Sequence, residues 1–240
     1  MSAMAALITG GSSNIGWACV RRLAPSHRVV IADLRPPTEA LPEGVRFVAT
    51  DITDAAACRA AVQAASGDEG LAVLVHSAAI TAPPEPIETI DPAVWRQLVE
   101  VNLTGAFLMA QAAIPALRRA RGNAVFISSR AGRTGYAALT ATASGTKAHY
   151  AASKAALLSL VKSLAIELAP DGVRVNSVVP GSIEGAMIPR ERWPELAARI
   201  PLGRLGTPDE VADAVAYLCS DQARYVTGHA LDVNGGTWMS

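Results

Sequence analysis

Seven short apolar runs recur along the chain, and alanine-rich helical patterns lie between most of them. The runs are rich in Val, Ile, Leu and Ala, which is typical of strands buried on both faces of a sheet. Such strands, separated by helices, favour an α/β fold on a parallel sheet. The strands are predicted at residues 5–9, 28–33, 45–49, 71–76, 124–127, 173–179 and 230–233.

Longer patterns with apolar residues three and four positions apart predict helices. The longest cover residues 91–121 and 149–168, and shorter ones follow the first strand, Asp54 and Thr207. Asp54 and Thr207 are residue types that accept hydrogen bonds from the free N–H groups of a helix start. Pro208 suits the first position of the helix that follows Thr207.

Two segments lack a regular pattern. Residues 130–148 are polar and rich in Gly, Ala and Thr, and they predict a loop long enough to be functional. Residues 184–204 place Met187, Ile188 and Trp193 among polar residues. This second segment predicts a small lid over an apolar substrate pocket.

The length of 240 residues and the absence of any repeat or linker predict a single domain, 1–240. The formal net charge is zero, which argues against binding to nucleic acid or to an anionic membrane. No apolar run reaches the roughly 20 residues that span a bilayer, and the N-terminus lacks the basic start of a signal peptide. Cys19, Cys58 and Cys219 have no metal or redox spacing, so reduced thiols, no metal site and a cytoplasmic location are expected.

A glycine-rich turn joins the first predicted strand to the first predicted helix. Glycine lets the backbone approach a pyrophosphate closely, and the start of a helix offers unpaired N–H groups to it. The order of strand, turn and helix favours a dinucleotide site over a turn with a purely structural role. The residues expected to contact the dinucleotide here are Gly10, Ser12, Ser13, Asn14, Ile15 and Gly16.

An acidic residue, Asp33, ends the second predicted strand about 20 residues beyond the glycine turn. A carboxylate at this spacing accepts hydrogen bonds from the ribose hydroxyls of adenosine, and it repels a 2′-phosphate. Asp33 therefore favours NAD over NADP, although an acid can also end a strand for structural reasons alone. Arg35 is expected to point to solvent, because Pro36 and Pro37 follow it.

Other strand ends are expected to complete the cofactor site, because ligands bind at the carboxyl ends of parallel strands. Asp51 suits either the adenine edge or the end of a turn. His76 is expected to be structural, while the small residues after it let a second stretch of backbone approach the dinucleotide. This second group consists of Leu34, Asp51, Ile52, Ser77, Ala78, Ala79, Pro180, Gly181 and Ile183.

Tyr150 and Lys154 lie four residues apart near the start of a predicted helix, so their side chains share one face. A cation beside a phenol lowers the pKa of the phenol, which would make a proton donor and acceptor usable near neutral pH. The pair alone is equally compatible with a solvated helix face. Two further polar residues are candidates to join it: Ser129 at the end of the fifth strand, and Asn102 within an apolar run.

Taken in order, these motifs resemble those of the short-chain dehydrogenase/reductase family, and the similarity covers nearly the whole chain. The matching positions are residues 9–16 for the phosphate-binding turn, Asn102 for the helix asparagine, Ser129 for the strand-end serine, Tyr150 and Lys154 for the Tyr-x-x-x-Lys pair, and Pro180-Gly181 for the Pro-Gly turn. Together, in this order, these motifs are highly specific for the family.

The resemblance implies a single-domain Rossmann fold, in which a doubly wound, seven-stranded parallel sheet with helices on both faces binds a nicotinamide dinucleotide. It implies that Tyr150 exchanges a proton with the substrate oxygen and that Ser129 hydrogen-bonds that oxygen. Lys154 would bind the nicotinamide ribose and lower the tyrosine pKa, and Asn102 would hold a water that links Lys154 to solvent. A homotetramer, paired through the helices that carry Asn102 and Tyr150, is also implied.

Four departures from the family pattern bear on the site. Asn14 replaces a glycine of the turn, although Asn tolerates the left-handed backbone conformation. Residues 76–79 are His-Ser-Ala-Ala where the family has Asn-Asn-Ala-Gly, and Gly185 stands where a threonine often contacts the cofactor. The fourth departure, a longer loop before the tyrosine, leaves Ser144 as an alternative to Ser129. Ser129 is favoured because a strand end holds it in place.

These residues favour an oxidoreductase that transfers a hydride between NAD(H) and a small secondary alcohol or ketone, with Tyr150 as general acid and base. An NADPH-dependent 3-oxoacyl thioester reductase is the first alternative, since Arg190, Arg192 and Arg199 could supply the basic patch that such a substrate requires. A dinucleotide-binding regulator without turnover is the second alternative, and a broken Tyr/Lys pair would mark it.

Overall fold

A computed structural model of the protein describes residues 4–136 and 145–239, and the alternative serine, Ser144, lies outside them. The strands are β1 Met4–Thr9, β2 His27–Asp33, β3 Arg46–Ala49, β4 Val73–His76, β5 Asn123–Ile127, β6 Arg174–Pro180 and β7 Ala230–Val233. They form one parallel sheet in the spatial order β3-β2-β1-β4-β5-β6-β7. Each predicted strand is present, with small shifts at its ends.

The helices between the strands follow the predicted pattern except that one long helix is divided and that a short helix, residues 131–134, lies in the predicted 130–148 loop. They are α1 Asn14–Leu23, α2 Ala55–Ser66, α3 Pro92–Val99, α4 Gly105–Ala120, α5 Ala131–Thr134, α6 Ala148–Leu168, α7 Trp193–Ala197 and α8 Pro208–Cys219. The single long helix predicted at 91–121 is α3 and α4 joined by a π-helical turn, Glu100–Thr104. Turns of this kind occur often at functional sites, and this one contains Asn102.

The sheet is covered by helices on both faces, which explains why its strands are continuously apolar. Successive residues of β1 point to opposite faces: Leu7 packs in the layer formed by α2, α4 and α6, and Ile8 packs in the layer formed by α1 and α8. Burial of each such side chain stabilises the fold by about 1.5–3 kcal/mol. The predicted doubly wound α/β architecture is therefore confirmed.

The order of the strands reverses beside β1, because β2 and β3 extend the sheet to one side and β4 to β7 extend it to the other. A crevice forms at such a reversal, at the carboxyl ends of the strands. Here those ends carry Thr9, Asp33, His76, Ile127 and Pro180. The motifs that lie far apart in the sequence therefore meet at one edge of the sheet.

The two predicted helix caps are present. Asp54 Oδ1 accepts a hydrogen bond from the N–H of Ala56 at 2.7 Å, at the start of α2. Thr207 Oγ1 accepts from the N–H of Glu210 at 3.3 Å, and the Glu210 carboxylate accepts from the N–H of Thr207 at 2.8 Å. This reciprocal pair satisfies two N–H groups that the first turn of α8 cannot bond internally.

The predicted lid contains more regular structure than its sequence pattern indicated. A 3₁₀ turn at Arg190–Arg192 leads into α7, and the lid has a small apolar cluster of its own around Leu196. Trp193 belongs to that cluster, and its indole N–H donates to the carbonyl oxygen of Ile188 at 3.0 Å. Trp193 was expected near the substrate pocket, but it stabilises the lid from within.

One helical stretch of the described chain, Pro92–Ala120, is long and apolar enough to cross a membrane by length and composition, contrary to expectation. It consists of α3, the π-helical turn and α4. Ala106, Met109 and Ala113 on α4 are fully buried and belong to the layer that covers the sheet. Because a core helix passes the same test of length and composition, the stretch is weak evidence for a membrane span.

Candidate active site

A cleft of about 1360 Å³ runs along the carboxyl edge of the sheet. Its walls come from the loops that follow β1 to β6 and from the lid. The predicted site residues all line this cleft except Ser12, Gly16 and Asn102. These three residues contact the segments that form the cleft and hold those segments in place.

The glycine turn packs so tightly that two of its glycines have no room for a side chain. Gly10 has a positive φ of 64°, and a Cβ there would lie 2.6 Å from the main-chain nitrogen of Ala78. A Cβ on Gly16 would overlap the carbonyl oxygen of Gly10. The turn thus brings the start of α1 to the cleft, and no acidic residue in the first turn of α1 opposes an anion there.

Thr9 joins the ends of β1 and β4 beneath the cleft. Its Oγ1 accepts hydrogen bonds from the N–H groups of Ser77 at 3.2 Å and Ala78 at 3.3 Å. The same oxygen lies 3.0 Å from Nδ1 of His76. Burial, followed by the charge of Lys154, lowers the pKa of His76 to about 3. His76 is therefore neutral near pH 7 and has the structural role expected for it.

Asp33 lies at the end of the cleft that suits adenosine. Its Oδ2 accepts a hydrogen bond from the N–H of Ser12 at 3.1 Å, which ties the glycine turn to β2. Arg35 is exposed as expected, and its carbonyl oxygen accepts from Ser12 Oγ at 2.6 Å. Leu34 is 68% exposed beside the cleft and offers an apolar surface to a flat ring.

Asp51 had two expected roles, and the structure shows one of them. Its Oδ1 accepts hydrogen bonds from the hydroxyl of Thr53 at 2.7 Å and from the N–H of Thr53 at 2.9 Å. These bonds, the hydroxyl bond first, lower the pKa of the Asp51 carboxyl. Asp51 therefore finishes a turn. It also lines the cleft beside Ile52, so contact with adenine stays a prediction.

Ser129 and Tyr150 meet at the inner end of the cleft. Their side chains are hydrogen-bonded to each other, and Ser129 Oγ also accepts from the N–H of Ala131 at 3.1 Å. The preceding residue, Ser128, is buried and donates to the carbonyl oxygen of Lys154 at 2.9 Å. Ser129 thus faces the tyrosine in the part of the chain that the structure describes, and the end of β5 and the start of α5 hold it there.

Lys154 shares one face of α6 with Tyr150, as their spacing predicts. The lysine is only 2% exposed, and its ammonium donates to the carbonyl oxygen of Ile127 at 2.9 Å. Its Nζ lies 5.9 Å from the centroid of the tyrosine ring. Burial lowers the pKa of Lys154 to about 8.

The expected lowering of the tyrosine pKa is wrong for this structure. Burial raises the pKa of Tyr150 above its ordinary value, and the hydrogen bond with Ser129 offsets only part of that increase. The physical reason is that loss of water around the phenol outweighs the influence of a lysine that is itself buried and bonded to a carbonyl oxygen. The tyrosine is therefore neutral at pH 7 in this form of the protein.

Asn102, in the π-helical turn, connects the loop after β4 to α6. Its Oδ1 accepts from the N–H of Ile80 at 2.8 Å, and its Nδ2 donates to the carbonyl oxygen of Ile80 at 3.0 Å and to Ser153 Oγ at 3.1 Å. The asparagine thus positions the helix that carries Tyr150 and Lys154. Both amide hydrogens are used, so the expected link to a water requires an oxygen of Asn102 and stays a prediction.

Two departures from the family pattern, Asn14 and Gly185, are neighbours in the structure. Asn14 has a positive φ of 45°, and its Nδ2 donates to the carbonyl oxygen of Glu184 at 3.3 Å. A Cβ on Gly185 would overlap that same Nδ2. Asn14 therefore fills the space that a side chain at position 185 would need, and it links the glycine turn to the lid.

One residue of the cleft, Lys147, was missed in the sequence. Lys147 is the N-cap of α6, three residues before Tyr150, and its Nζ donates to Thr81 Oγ1 at 3.3 Å. Arg192, one of the three arginines expected to supply a basic patch, lines the same cleft from the lid. The available signal was slight, because a lysine three residues before the tyrosine lies in a segment without a regular pattern.

The cleft fits a nicotinamide dinucleotide. A strand-end carboxylate at Asp33, a helix start without acidic residues and the Tyr150–Lys154 pair all lie along it. Among residues 4–136 and 145–239, no three His, Cys, Asp or Glu side chains are grouped so that they could hold a metal ion. The donor set therefore matches phosphate and ribose groups.

Comparison with known proteins agrees with this geometry. The profile of a family described as enoyl-(acyl carrier protein) reductase matches residues 10–237. The chain is 36% identical to cis-4-hydroxycyclohexanecarboxylate dehydrogenase of Sinomonas cyclohexanicum over 244 residues, which cover 96% of this chain and 95% of the relative. It is 34% identical to 3-oxoacyl-[acyl-carrier-protein] reductase FabG of Escherichia coli strain K12 over 245 residues, which cover 98% of this chain and 97% of the relative.

A solved structure extends the comparison to three dimensions. The 3-ketoacyl-(acyl-carrier-protein) reductase of Brucella melitensis, complexed with NADH, superimposes with a TM-score of 0.87 and 32% sequence identity, and the match covers 98% of each chain. The relatives of this chain include a dehydrogenase that acts on an alcohol and a reductase that acts on a ketone. From the sheet, the cleft and these similarities it follows that the chain is an oxidoreductase and belongs to the short-chain dehydrogenase/reductase family.

Proposed function

We propose that the enzyme transfers a hydride between NAD(H) and a secondary alcohol or ketone, with Tyr150 as general acid and base. The observation that carries this proposal is the hydrogen-bonded pair of Ser129 and Tyr150 beside the buried Lys154, at the inner end of the cleft. The nicotinamide ring supplies or accepts the hydride when the cofactor is bound. The protein holds the substrate oxygen and moves one proton.

The proton is exchanged at the hydroxyl oxygen of Tyr150. In ketone reduction the neutral phenol donates its proton to the carbonyl oxygen, and burial favours this neutral form. In alcohol oxidation the phenol first releases its proton to solvent, and the ammonium of Lys154 stabilises the phenolate that results. The phenolate then accepts the hydroxyl proton of the alcohol. Ser129 Oγ, held by the N–H of Ala131, hydrogen-bonds the substrate oxygen and orients it toward the tyrosine.

NAD is the preferred dinucleotide in this proposal. The carboxylate of Asp33 would bind the ribose hydroxyls of adenosine and repel a 2′-phosphate, and the exposed Arg35 does not line the cleft. Lys154 would bind the nicotinamide ribose through Nζ. The Brucella relative is complexed with NADH, which supports the use of NAD(H) by a protein of this fold.

A compact alicyclic secondary alcohol is the substrate class that we favour. The apolar residues that line the cleft include Ile80, Pro84, Val101, Met187 and Ile188. An apolar wall of this kind stabilises a hydrocarbon ring by removing its surface from water. The Sinomonas relative, by its name, oxidises a hydroxylated cyclohexane ring, which supports this class.

A 3-oxoacyl thioester reductase is the second candidate, because the Escherichia and Brucella relatives carry that name. The basic patch that this substrate requires is less developed than the sequence indicated. Arg190 lies over the ring of Trp193, 5.6 Å from its centroid, and Arg199 pairs with Glu195 at 3.1 Å. A regulator without turnover has the least support, since the tyrosine–lysine pair is intact and its geometry is suited to proton transfer.

A homotetramer in the cytoplasm completes the proposal. Of the small residues on α6, Ala151 is buried against the protein's own core, whereas Ala152 and Ala155 are exposed. Exposed alanines allow a second helix to approach closely. Light scattering during gel filtration tests this assembly, and a monomer at micromolar concentration would contradict it.

Replacement of Tyr150 with phenylalanine tests the catalytic assignment. NADH formation with a panel of secondary alcohols is expected to fall by at least about 10²-fold, the lower end for a positioned acid–base group. NADH binding, measured by fluorescence titration, should be unchanged, because the variant keeps the ring. Equal rates in the two proteins would show that Tyr150 is not the proton donor.

Cofactor preference is tested by titrating the protein with NADH and NADPH under the same conditions. We expect tighter binding of NADH, and a smaller difference between the two cofactors in Asp33→Asn, because the amide lacks the charge that repels a 2′-phosphate. Clearly tighter binding of NADPH by the unaltered protein would contradict the role assigned to Asp33.

A further inference from the structure

Two cationic side chains that the proton transfer does not use line the same cleft as Tyr150. Lys147 comes from the N-cap of α6 and Arg192 comes from the lid, and the charge of Arg192 acts on Lys147. Both line the cleft, together with Thr81, whose hydroxyl accepts from Lys147 Nζ at 3.3 Å. Neither cation is needed for the proton transfer described above.

Lys147 is half-buried, and none of the ion pairs formed within residues 4–136 and 145–239 includes it. Residues 137–144, which precede it in the chain, contain no Asp or Glu that could neutralise it. Burial, followed by the charge of Arg192, lowers the pKa of Lys147. The lysine therefore lies in a partly dry wall, and the charge that acts on it has the same sign as its own.

Arg192 has only a weak partner within the lid. Its Nε lies 3.9 Å from Oε2 of Glu195, whereas Arg199 lies 3.1 Å from the other carboxylate oxygen of the same residue. Glu195 is thus engaged more closely by Arg199. Arg192 also lines the cleft, and a guanidinium has five N–H donors, so donors remain for a ligand there.

Two like charges held near each other are unfavourable unless an anion lies between them. The chain places them with some strain, since Lys147 has a positive φ of 58°, which is uncommon for a residue with a side chain. A carboxylate suits the site, because guanidinium and ammonium groups both form short, charge-assisted hydrogen bonds with it. Thr81 Oγ1 adds a third polar contact at the same place.

The position of this cation pair limits the size of the ligand. Lys147 precedes Tyr150 by three residues and is the N-cap of α6. A ligand that contacts both residues must therefore carry its anionic group and its hydroxyl group on one compact frame. A small hydroxy acid meets this requirement, and the apolar wall between the two ends suits its hydrocarbon part.

We propose that Lys147 and Arg192 bind a carboxylate of the substrate, so that the enzyme acts on compact secondary alcohols that are also carboxylic acids. The inference rests on the proposed oxidation of a secondary alcohol, and it names the substrate class for that same site. The pair orients the ring so that its hydroxyl group lies against Ser129 and Tyr150. Uncharged alcohols of the same shape would bind without this contact and turn over less efficiently.

The test compares a hydroxycyclohexanecarboxylate with its uncharged carboxamide, which has nearly the same shape. For the unaltered enzyme we expect kcat/KM to be at least about tenfold higher for the acid, as for other charge-assisted contacts. In Lys147→Gln and in Arg192→Gln this ratio should shrink. The kcat/KM for the acid should fall, while the kcat/KM for the amide should change little. Equal kcat/KM for acid and amide in the unaltered enzyme would overturn the inference.

Arg190→Gln is the matched control, because Arg190 lies on the same lid, two residues from Arg192, and contacts Trp193 without lining the cleft. This variant should keep the full preference for the acid. A loss of preference as large as that in Arg192→Gln would show that general lid charge, and not a specific contact, is responsible. That result would also overturn the inference.

A binding measurement separates this inference from the proposed oxidation. Calorimetric titration of the NADH-loaded protein with cyclohexanecarboxylate and with cyclohexanecarboxamide needs no turnover. We expect the carboxylate to bind and Lys147→Gln to weaken that binding by about tenfold or more. If no alcohol is oxidised but the carboxylate still binds through Lys147, the oxidation fails and the anion site stands. If alcohols are oxidised but the carboxylate binds no better than the amide, the anion site fails and the oxidation stands.

Discussion

Replacement of Lys154 with methionine is expected to change how the free energy of unfolding depends on pH. The lysine is 2% exposed, and burial lowers its pKa from 10.5 to about 8. The folded protein therefore holds the lysine proton less tightly than the unfolded chain does. At neutral pH the difference between the two pKa values corresponds to about 3 kcal/mol of lost stability.

The sign follows from proton binding. Between pH 8 and pH 10.5 the unfolded chain carries the lysine proton more often than the folded protein, so stability rises with pH in this window. The cost of burying the charged lysine is present in full below about pH 8, the folded pKa, and disappears above pH 10.5, the unfolded pKa. From pH 7 to pH 9.5 the expected gain for the unaltered protein is about 2 kcal/mol.

The Lys154→Met variant has no titratable group at this position, so this contribution to the pH dependence of unfolding is absent. The substitution also removes the hydrogen bond to the carbonyl oxygen of Ile127, which costs about 1–3 kcal/mol. That cost is the same at both pH values, so it cancels when each protein is compared with itself. The difference between the two pH responses therefore isolates the burial of the lysine charge.

Urea unfolding at pH 7 and pH 9.5, at one fixed protein concentration, measures both responses. Lys162→Met is the control, because Lys162 is exposed on the same helix, and its variant should follow the unaltered protein. If Lys154→Met and the unaltered protein change by the same amount between the two pH values, the reasoning about the buried ammonium is refuted.

Two further predictions concern the glycines of the cleft. Gly16→Ala is expected to weaken NADH binding by about tenfold or more, because the added Cβ would overlap the carbonyl oxygen of Gly10. Fluorescence titration measures the affinity for NADH, and an unchanged affinity would contradict the prediction. Gly185→Ala places a side chain at a φ of 148° and against Asn14, and the backbone strain alone is expected to destabilise the protein by about 1–3 kcal/mol. In an Asn14→Gly background the same change should cost less, and equal losses of unfolding free energy in both backgrounds would rule out the proposed contact.

The strands, the glycine turn and the tyrosine–lysine pair are all predictable from sequence, because each depends on local geometry. A strand buried on both faces must be apolar throughout, as β1 shows at Leu7 and Ile8. The backbone at Gly16 leaves no space for a Cβ, so a glycine is required there. Tyr150 and Lys154 share a face because four residues make about one helical turn.

Other properties of the site depend on contacts between distant residues, and local patterns do not contain them. The tyrosine pKa rises because the packed protein excludes water from Tyr150, an effect that the spacing to Lys154 does not reveal. The contact of Asn14 with the lid exists only because the sheet brings the glycine turn and residues 184–185 together. In the same way, the fold brings Lys147 to the cleft that Arg192 lines, and this shared cleft makes them a candidate site for an anion.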